Sequence, residues 1–341
     1  MARAPNNSFD LLRLFAASLV LYSHQHVLLG MAEPQFFGWN TFGGAGVAVF
    51  FFLSGLLVWS SWMRDPSLSR FFMRRSLRIF PGLWLVVILS VFVVGPLLST
   101  LQPVDYFGAG QTHGYLSTAF LMVRQELPGL PGVFASNPYP HALNGSLWTL
   151  PVEFFCYVSV AAWGGVAIVS KNWVVAAGFF LTVVVGALGP GLFGERFTAH
   201  FEMISLFWWG VWYGCVSGSK PVQRHWYGLL TFLALLLFLF LGTRGSDRAG
   251  ILLFACAMVM LAQRTAAGMT LTDRLGDLSY GMYIFAFPVQ QAVIDLAAGR
   301  DWPFEAYLGV SFLITAVLAY GSWHLVERRA LYFKPGNRGR A

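Results

Sequence analysis

Two ionisable side chains, His24 and Glu153, stand inside runs of apolar sequence. A charged group near the centre of a bilayer costs at least ~2.5 kcal/mol on insertion scales, so each needs a partner or a task. In apolar surroundings the proton affinities of an imidazole and a carboxylate move toward the range of general-base chemistry, and an imidazole can also act as a nucleophile. The blander readings are a histidine hydrogen-bonded within a helix bundle and a glutamate paired with an arginine. Glu153 lies six residues, or ~9 Å, into a span that starts near Leu147. His24 starts from the opposite side. In a hydrocarbon core ~30 Å thick the two fall within roughly 5 Å of one level and are expected to share one cavity.

Arginine supplies the second kind of chemistry. Arg13 precedes His24 by eleven residues, three turns plus about 20° of a helix, so both project from one face with a depth difference of ~16 Å. Arg13 then stands at the cytoplasmic boundary, with Asp10 as an i,i+3 partner that sets its direction. His26 faces about 200° away from His24 and lines something else. Further on, Arg70, Arg74, Arg75 and Arg78 precede Pro81, and Arg75 and Arg78 point the same way. Planar guanidinium groups suit bidentate capture of phosphate, and several together suit a ligand with more than one phosphate. A topology anchor on anionic lipid is the equal alternative. Polar and small residues enter the membrane together from Asn144 through Trp148 to Pro151 and Glu153, as a site-forming entry would. Tyr280 and Tyr283 share a face and offer hydroxyls to a substrate, with an interfacial aromatic belt as the alternative.

The elements that position these residues follow from composition. Of 341 residues, 57% are hydrophobic and only 11% charged, against roughly 25% charged in soluble domains. There are too few charges to coat a soluble surface. The net charge of +7 sits in short clusters between apolar runs, which excludes a nucleic-acid face and points to the membrane surface. Cys156, Cys215 and Cys256 lie inside apolar segments without metal-ligand spacing and read as buried hydrophobes. No metal is expected. Runs long enough to span a bilayer fall near 9–29, 43–62, 79–100, 147–169, 173–192, 201–217, 226–242, 248–263, 278–297 and 305–326. The reading is all-α: a polytopic integral membrane protein of about ten transmembrane helices, one domain over 1–341. Phe52, Ser54 and Gly55 belong to close helix packing. With the N-terminus inside, 17 Lys and Arg fall on the inner side and 5 (Arg124, Arg196, Arg244, Arg248, Arg300) outside, accounting for all 22. Both termini are therefore expected in the cytoplasm. The long connection 101–146, rich in Gly, Pro, Tyr and His, is expected to shape an outer entrance.

These residues together resemble the acyltransferase 3 family of membrane-bound carbohydrate O-acyltransferases. Arg13 and His24, preceded by Asp10, are similar to the family's R-x10-H element. Phe52-Leu53-Ser54-Gly55 resembles its second span, Arg75-Ser76-Leu77-Arg78 its R-x-x-R element, and Trp148 to Glu153 its W-x-L-x-x-E stretch. The likeness runs from the first span to Glu327. Ala286 stands where the family often has histidine, and Glu327-Arg328-Arg329 where Glu-x-Pro is common.

The resemblance implies an O-acetyltransferase that uses cytosolic acetyl-CoA to acylate a hydroxyl of a glycan or lipid-linked saccharide. Arg13, Arg75 and Arg78 would hold the CoA phosphates. His24 would act as general base or acyl carrier, with Glu153 orienting it or binding the sugar. The expected location is the bacterial inner (cytoplasmic) membrane, among lipid and without nucleic acid. In the absence of an appended hydrolase-like domain, the chain acts alone, as a homo-oligomer or with a separate partner. The alternative is a proton-coupled transporter or flippase in which His24 and Glu153 carry protons through a midplane site; the sequence shows no inverted repeat to support it.

Overall fold

Long apolar runs with few internal breakers form helices, and the breakers present mark where those helices bend or lend out a carbonyl. A computed structural model describes residues 8–121, 129–170, 184, 194, 197–217, 245–264 and 275–335. The long helices are α1 (Phe9–Leu28), α2 (Phe42–Arg64), α3 (Leu68–Leu89), α4 (Thr149–Ser170), α5 (Thr198–Ser217), α6 (Gly245–Arg264), α7 (Ser279–Leu296) and α8 (Phe304–Ser322). Strands β1 (Gln35–Phe36) and β2 (Asn40–Thr41) form one small antiparallel hairpin.

Among the described residues three helices are long and apolar enough to cross a membrane: Phe42–Arg64, Leu68–Leu98 and Phe304–Leu331. Eight of the ten expected spans coincide with a long helix, and those at 173–192 and 226–242 lie outside the described residues. The count of ten is therefore not established. In α1 the ionisable Asp10 and Arg13 and the polar run from Ser23 to His26 dilute the apolar character that a span needs. The third span begins earlier than expected, because the arginine run from Arg70 to Arg78 is itself helical. Phe312, Leu313, Ile314 and Val317 of α8 and Ile88, Phe92 and Leu97 of the third span face outward. Exposed apolar faces of this length, on helices that also bury charged groups, belong to a membrane protein.

The chain divides into two compact units, one of Met1–Asn6, Gln35–Phe72 and Val152–Thr265, the other of Asn7–Pro34, Met73–Pro151 and Ala266–Ala341. In the first, α2 and α5 pack backbone to backbone. Gly55 lies against the carbonyl of Phe207, and Gly210 against the carbonyl of Phe52. A methyl group at either position would collide with main chain, as close helix crossings at small residues require.

In the second unit α7 packs on both α1 and α8, and two prolines set its details. Pro288 has no N–H for the carbonyl four residues back, that of Ile284. The side-chain amide of Asn144 donates to that carbonyl at 2.8 Å instead. In the π-helical turn Ser90–Val94 the partner of the Val91 carbonyl would be the nitrogen of Pro96, which carries no hydrogen. The Tyr106 hydroxyl donates to Val91 at 2.8 Å. The connection read as an outer loop also carries the short helices Pro103–Gly108 and Gly110–Tyr115. Its later part is fastened to α7 by Gln291, whose Nε2 donates to the carbonyls of Tyr139 and Ala142, both at 2.8 Å.

Candidate active site

The second unit holds His24 and the arginines Arg13, Arg75 and Arg78. His24 lies on α1 with its ring edge-on to Phe287 of α7, centroids 5.2 Å apart. Its Nδ1 is buried and has no hydrogen-bond partner among the described residues. A buried polar nitrogen without a partner forfeits its hydration, about 1–3 kcal/mol, so the position needs a reason. Around it several polar groups are engaged, whereas Gln25 Nε2 and Gln290 Oε1 also lack a partner among the described residues. The hydroxyl of Ser23 donates to Glu33 at 2.5 Å, and Glu33 is the carboxylate within electrostatic range of the imidazole. Gln290 of α7 donates to the Leu21 carbonyl at 2.8 Å and to Gln25 at 3.0 Å. His26 turns away, onto the Phe304 ring at 4.2 Å, as its helical offset requires.

One helix carries His24 and Arg13 without interruption, which puts them ~16 Å apart along the axis. At the N-terminal end of α1 Arg13 donates to Asp10 at 2.7 Å, and its Nη1 lies 3.7 Å from Asp277. Arg78 donates to the same Asp277 oxygen at 2.6 Å. Burial opposes ionisation of Asp277, but the Arg78 and Arg13 charges and a hydrogen bond from Ser279 outweigh it and hold the carboxyl down to about 2. Arg78 also lies over the Tyr280 ring, 5.9 Å from its centroid. Lys334 stands in the same field: desolvation, followed by the positive charges of Arg78 and Arg75, lowers it to about 8. Glu327, 2% exposed, accepts from Ser322 at 2.6 Å. The cluster thus draws on α1, α3, the entry to α7 and the end of α8.

The other expected residues are placed as follows. Tyr280 and Tyr283 give their hydroxyls to protein, Tyr280 to the Ile79 carbonyl at 2.7 Å and Tyr283 to the Ser146 carbonyl at 3.0 Å. Asn144 is committed to Ile284, and Gly145 beside it lies against the Phe287 ring that His24 also meets. Trp148 is half-buried. Arg70 turns to Asp65 in a two-pronged pair at 2.6 and 2.9 Å. Glu153 belongs to the first unit, where it accepts from Ser54 at 3.0 Å and Tyr157 at 2.5 Å.

Asp277, Lys334 and Glu33 are the groups that spacing did not reveal. Asp277 carried one signal, an acidic residue directly before an apolar run in a basic chain.

Comparison with known proteins gives the family of the chain. The family model described as an acyltransferase domain matches residues 6–324. The chain is 32% identical to a protein of Shigella phage Sf6 named O-acetyl transferase, over 96% of each chain. It is 32% identical to Nodulation protein 10 of Rhizobium leguminosarum bv. viciae, over 95% of this chain and 93% of that one. It is 27% identical to the acyltransferase MdmB of Streptomyces mycarofaciens, over 92% and 88%. No solved structure matches the chain. With its arginine–histidine first helix and a family match over nearly its whole length, the chain belongs to the acyltransferase 3 family of membrane acyltransferases.

Proposed function

We propose that the chain transfers an acetyl group from cytosolic acetyl-CoA to a hydroxyl of a glycan or lipid-linked saccharide. The observation that carries this reading is the buried Nδ1 of His24, without a partner among the described residues, on the helix whose N-terminal end holds Arg13 against the Arg78–Asp277 pair. The phosphates of CoA meet Arg13, Arg75, Arg78 and Lys334, with guanidinium groups already held in place. The pantetheine arm follows α1 outward and brings the thioester to His24.

There the neutral imidazole takes the proton of the acceptor hydroxyl as its oxygen attacks the thioester carbonyl. The tetrahedral adduct collapses, the C–S bond breaks, and the imidazolium returns the proton to the CoA sulfur. Glu153 serves the acceptor by receiving a sugar hydroxyl. The name of the phage relative supports acetyl and oxygen as the group moved and the atom acylated. The inner membrane, with both termini cytoplasmic, is the location in which the arginine end meets cytosolic acetyl-CoA. Lipid surrounds the outward apolar faces, and the chain functions alone, as a homo-oligomer or with a separate protein.

The test uses the full chain in liposomes with acetyl-CoA and deacylated oligosaccharide. CoA release and a mass gain of one acetyl group on the saccharide are expected from wild type, and neither from His24→Ala at unchanged thermal stability. Transfer near the wild-type rate in His24→Ala, or saccharide movement without CoA release, overturns the reading.

A further inference from the structure

The first unit contains a cavity that the donor chemistry does not use. Its volume is about 520 Å³, within the 300–1,000 Å³ of ligand pockets. It is lined by the hairpin (Gln35, Trp39, Asn40), by α5 (Glu202, Met203, Leu206) and by α6 (Asp247, Ile251). The two helices contribute in the same pattern. Each places a carboxylate in its opening turns and an aliphatic side chain four residues on, Glu202 with Leu206 and Asp247 with Ile251. Residues so spaced lie on one face. Leu206 and Ile251, 2% and 4% exposed, form an apolar floor under an acidic and amide rim.

The aromatic wall is built into the fold. The hairpin turns through Phe37 (φ 52) and Gly38 (φ 75), both left-handed, with Trp39 as the third residue of the connection between the paired Phe36 and Asn40. Phe36, paired with Asn40, is anchored against Phe254 of α6, centroids 4.6 Å apart. Trp39 is delivered flat onto Gly250 of α6, where a Cβ would enter the indole ring. A glycine inside a helix costs about 1 kcal/mol relative to alanine; here it makes room for the ring. Trp39 nevertheless keeps 38% of its surface exposed.

We infer that this cavity is the acceptor saccharide's binding site, with Trp39 stacking on a pyranose face and Glu202, Asp247, Gln35 and Asn40 taking its hydroxyls. An aromatic plane beside carboxylate and amide acceptors fits a neutral ligand that has an apolar face and a rim of O–H donors, which is the chemistry of a sugar. It repels the polyanionic donor. The N-terminal ends of α2, α5 and α6, which frame the cavity, fall on the outer side in the distribution of Lys and Arg. That is the side of an exported glycan.

The inference rests on the proposed transfer to a saccharide, and the test separates the two. Full-length wild type, Trp39→Ala, Trp39→Phe, Glu202→Gln and Asp247→Asn are assayed in liposomes with acetyl-CoA and oligosaccharides released from the deacetylated surface glycan of the native cell. Trp39→Ala is expected to raise the oligosaccharide KM at least tenfold and each carboxylate variant three- to tenfold. The KM for acetyl-CoA should stay within twofold, and Trp39→Phe should recover most of the loss. Unchanged oligosaccharide KM in Trp39→Ala and Asp247→Asn, with wild type active, overturns the site and leaves the transfer reading standing. Wild type that binds acetyl-CoA but acetylates no oligosaccharide overturns both. Parallel rises in both KM values, with a lowered Tm, also overturn it, because they mark the residues as structural.

Discussion

Replacing Asp277 by asparagine keeps the shape of the side chain and removes its charge, leaving Arg78 and Arg13 facing each other without an anion between them. Two routes give the size of the effect. Depression of the carboxyl from 3.8 to about 2 corresponds to about 2 kcal/mol at ~1.4 kcal/mol per unit. Breaking a fully buried ion pair costs about 3–5 kcal/mol; the 22% and 24% exposure of the arginine side chains reduces that to about 2–3 kcal/mol. Asp277→Asn should therefore lower the unfolding free energy by about 2–3 kcal/mol. In a double-mutant cycle with Arg78→Gln, about 2 kcal/mol of this should appear as coupling. Because the folded-state value lies below the unfolded one, the contribution is complete above pH 3.8 and is lost as pH falls through about 2. Reversible unfolding in mixed micelles measures all three quantities. A loss under about 0.5 kcal/mol at pH 7, or a cycle that closes without coupling, refutes the idea that Asp277 organises the cluster.

Acetyl transfer should fall at least ~10³-fold in His24→Ala while the protein still inserts and melts as wild type, within the range general-base groups supply. The KM for acetyl-CoA should rise above about pH 8 as Lys334, lowered to about 8, loses its proton. Lys334→Arg should flatten that rise, since arginine stays charged. Gly55→Val forces α2 and α5 apart at the Phe207 carbonyl; a loss above about 4 kcal/mol is expected, read as failure to recover folded protein from membranes. Asn144→Ala strands the Ile284 carbonyl and should cost about 1–2 kcal/mol. In the Pro288→Ala background the restored N–H takes that carbonyl, so the same change should cost under ~0.5 kcal/mol.

What the sequence made legible is what helical geometry and desolvation determine locally. The eleven-residue spacing of Arg13 and His24 fixes a shared face, and α1 delivers it. The opposed facing of His26 appears as its contact with Phe304. Gly55 marks a close crossing as expected, whereas Ser54 beside it turns to Glu153 instead of filling the interface. Long-range pairings were not legible, because a carboxylate 199 residues from Arg78 leaves no periodic trace. Tyr280 and Tyr283 illustrate the same limit. Their common face is a matter of spacing, but the carbonyls that take their hydroxyls come from α3 and from the long 101–146 connection. Proline acts beyond its own position: a missing N–H at Pro288 leaves an acceptor at Ile284, and Asn144, expected to line the entry, is bound to it.

The arginine–aspartate cluster raises a question of sign. If arginines are to grip phosphate, a carboxylate between them looks like a competitor. Geometry favours the opposite role. Asp277 takes Nη2 of Arg78 at 2.6 Å and stands 3.7 Å from Arg13, whereas a guanidinium carries five donors in a fixed fork. One oxygen of Asp277 thus aligns two forks while using few of their donors, and Asp10 holds Arg13 from the other side at 2.7 Å. Unaligned arginines would each lose up to about 2 kcal/mol of rotamer freedom on binding. Asp277→Asn should therefore raise the KM for acetyl-CoA by at least about tenfold, one factor of ~1.4 kcal/mol, and change kcat little. A competitor's removal would lower that KM, and a fall in KM would assign Asp277 to holding the site closed until CoA displaces it.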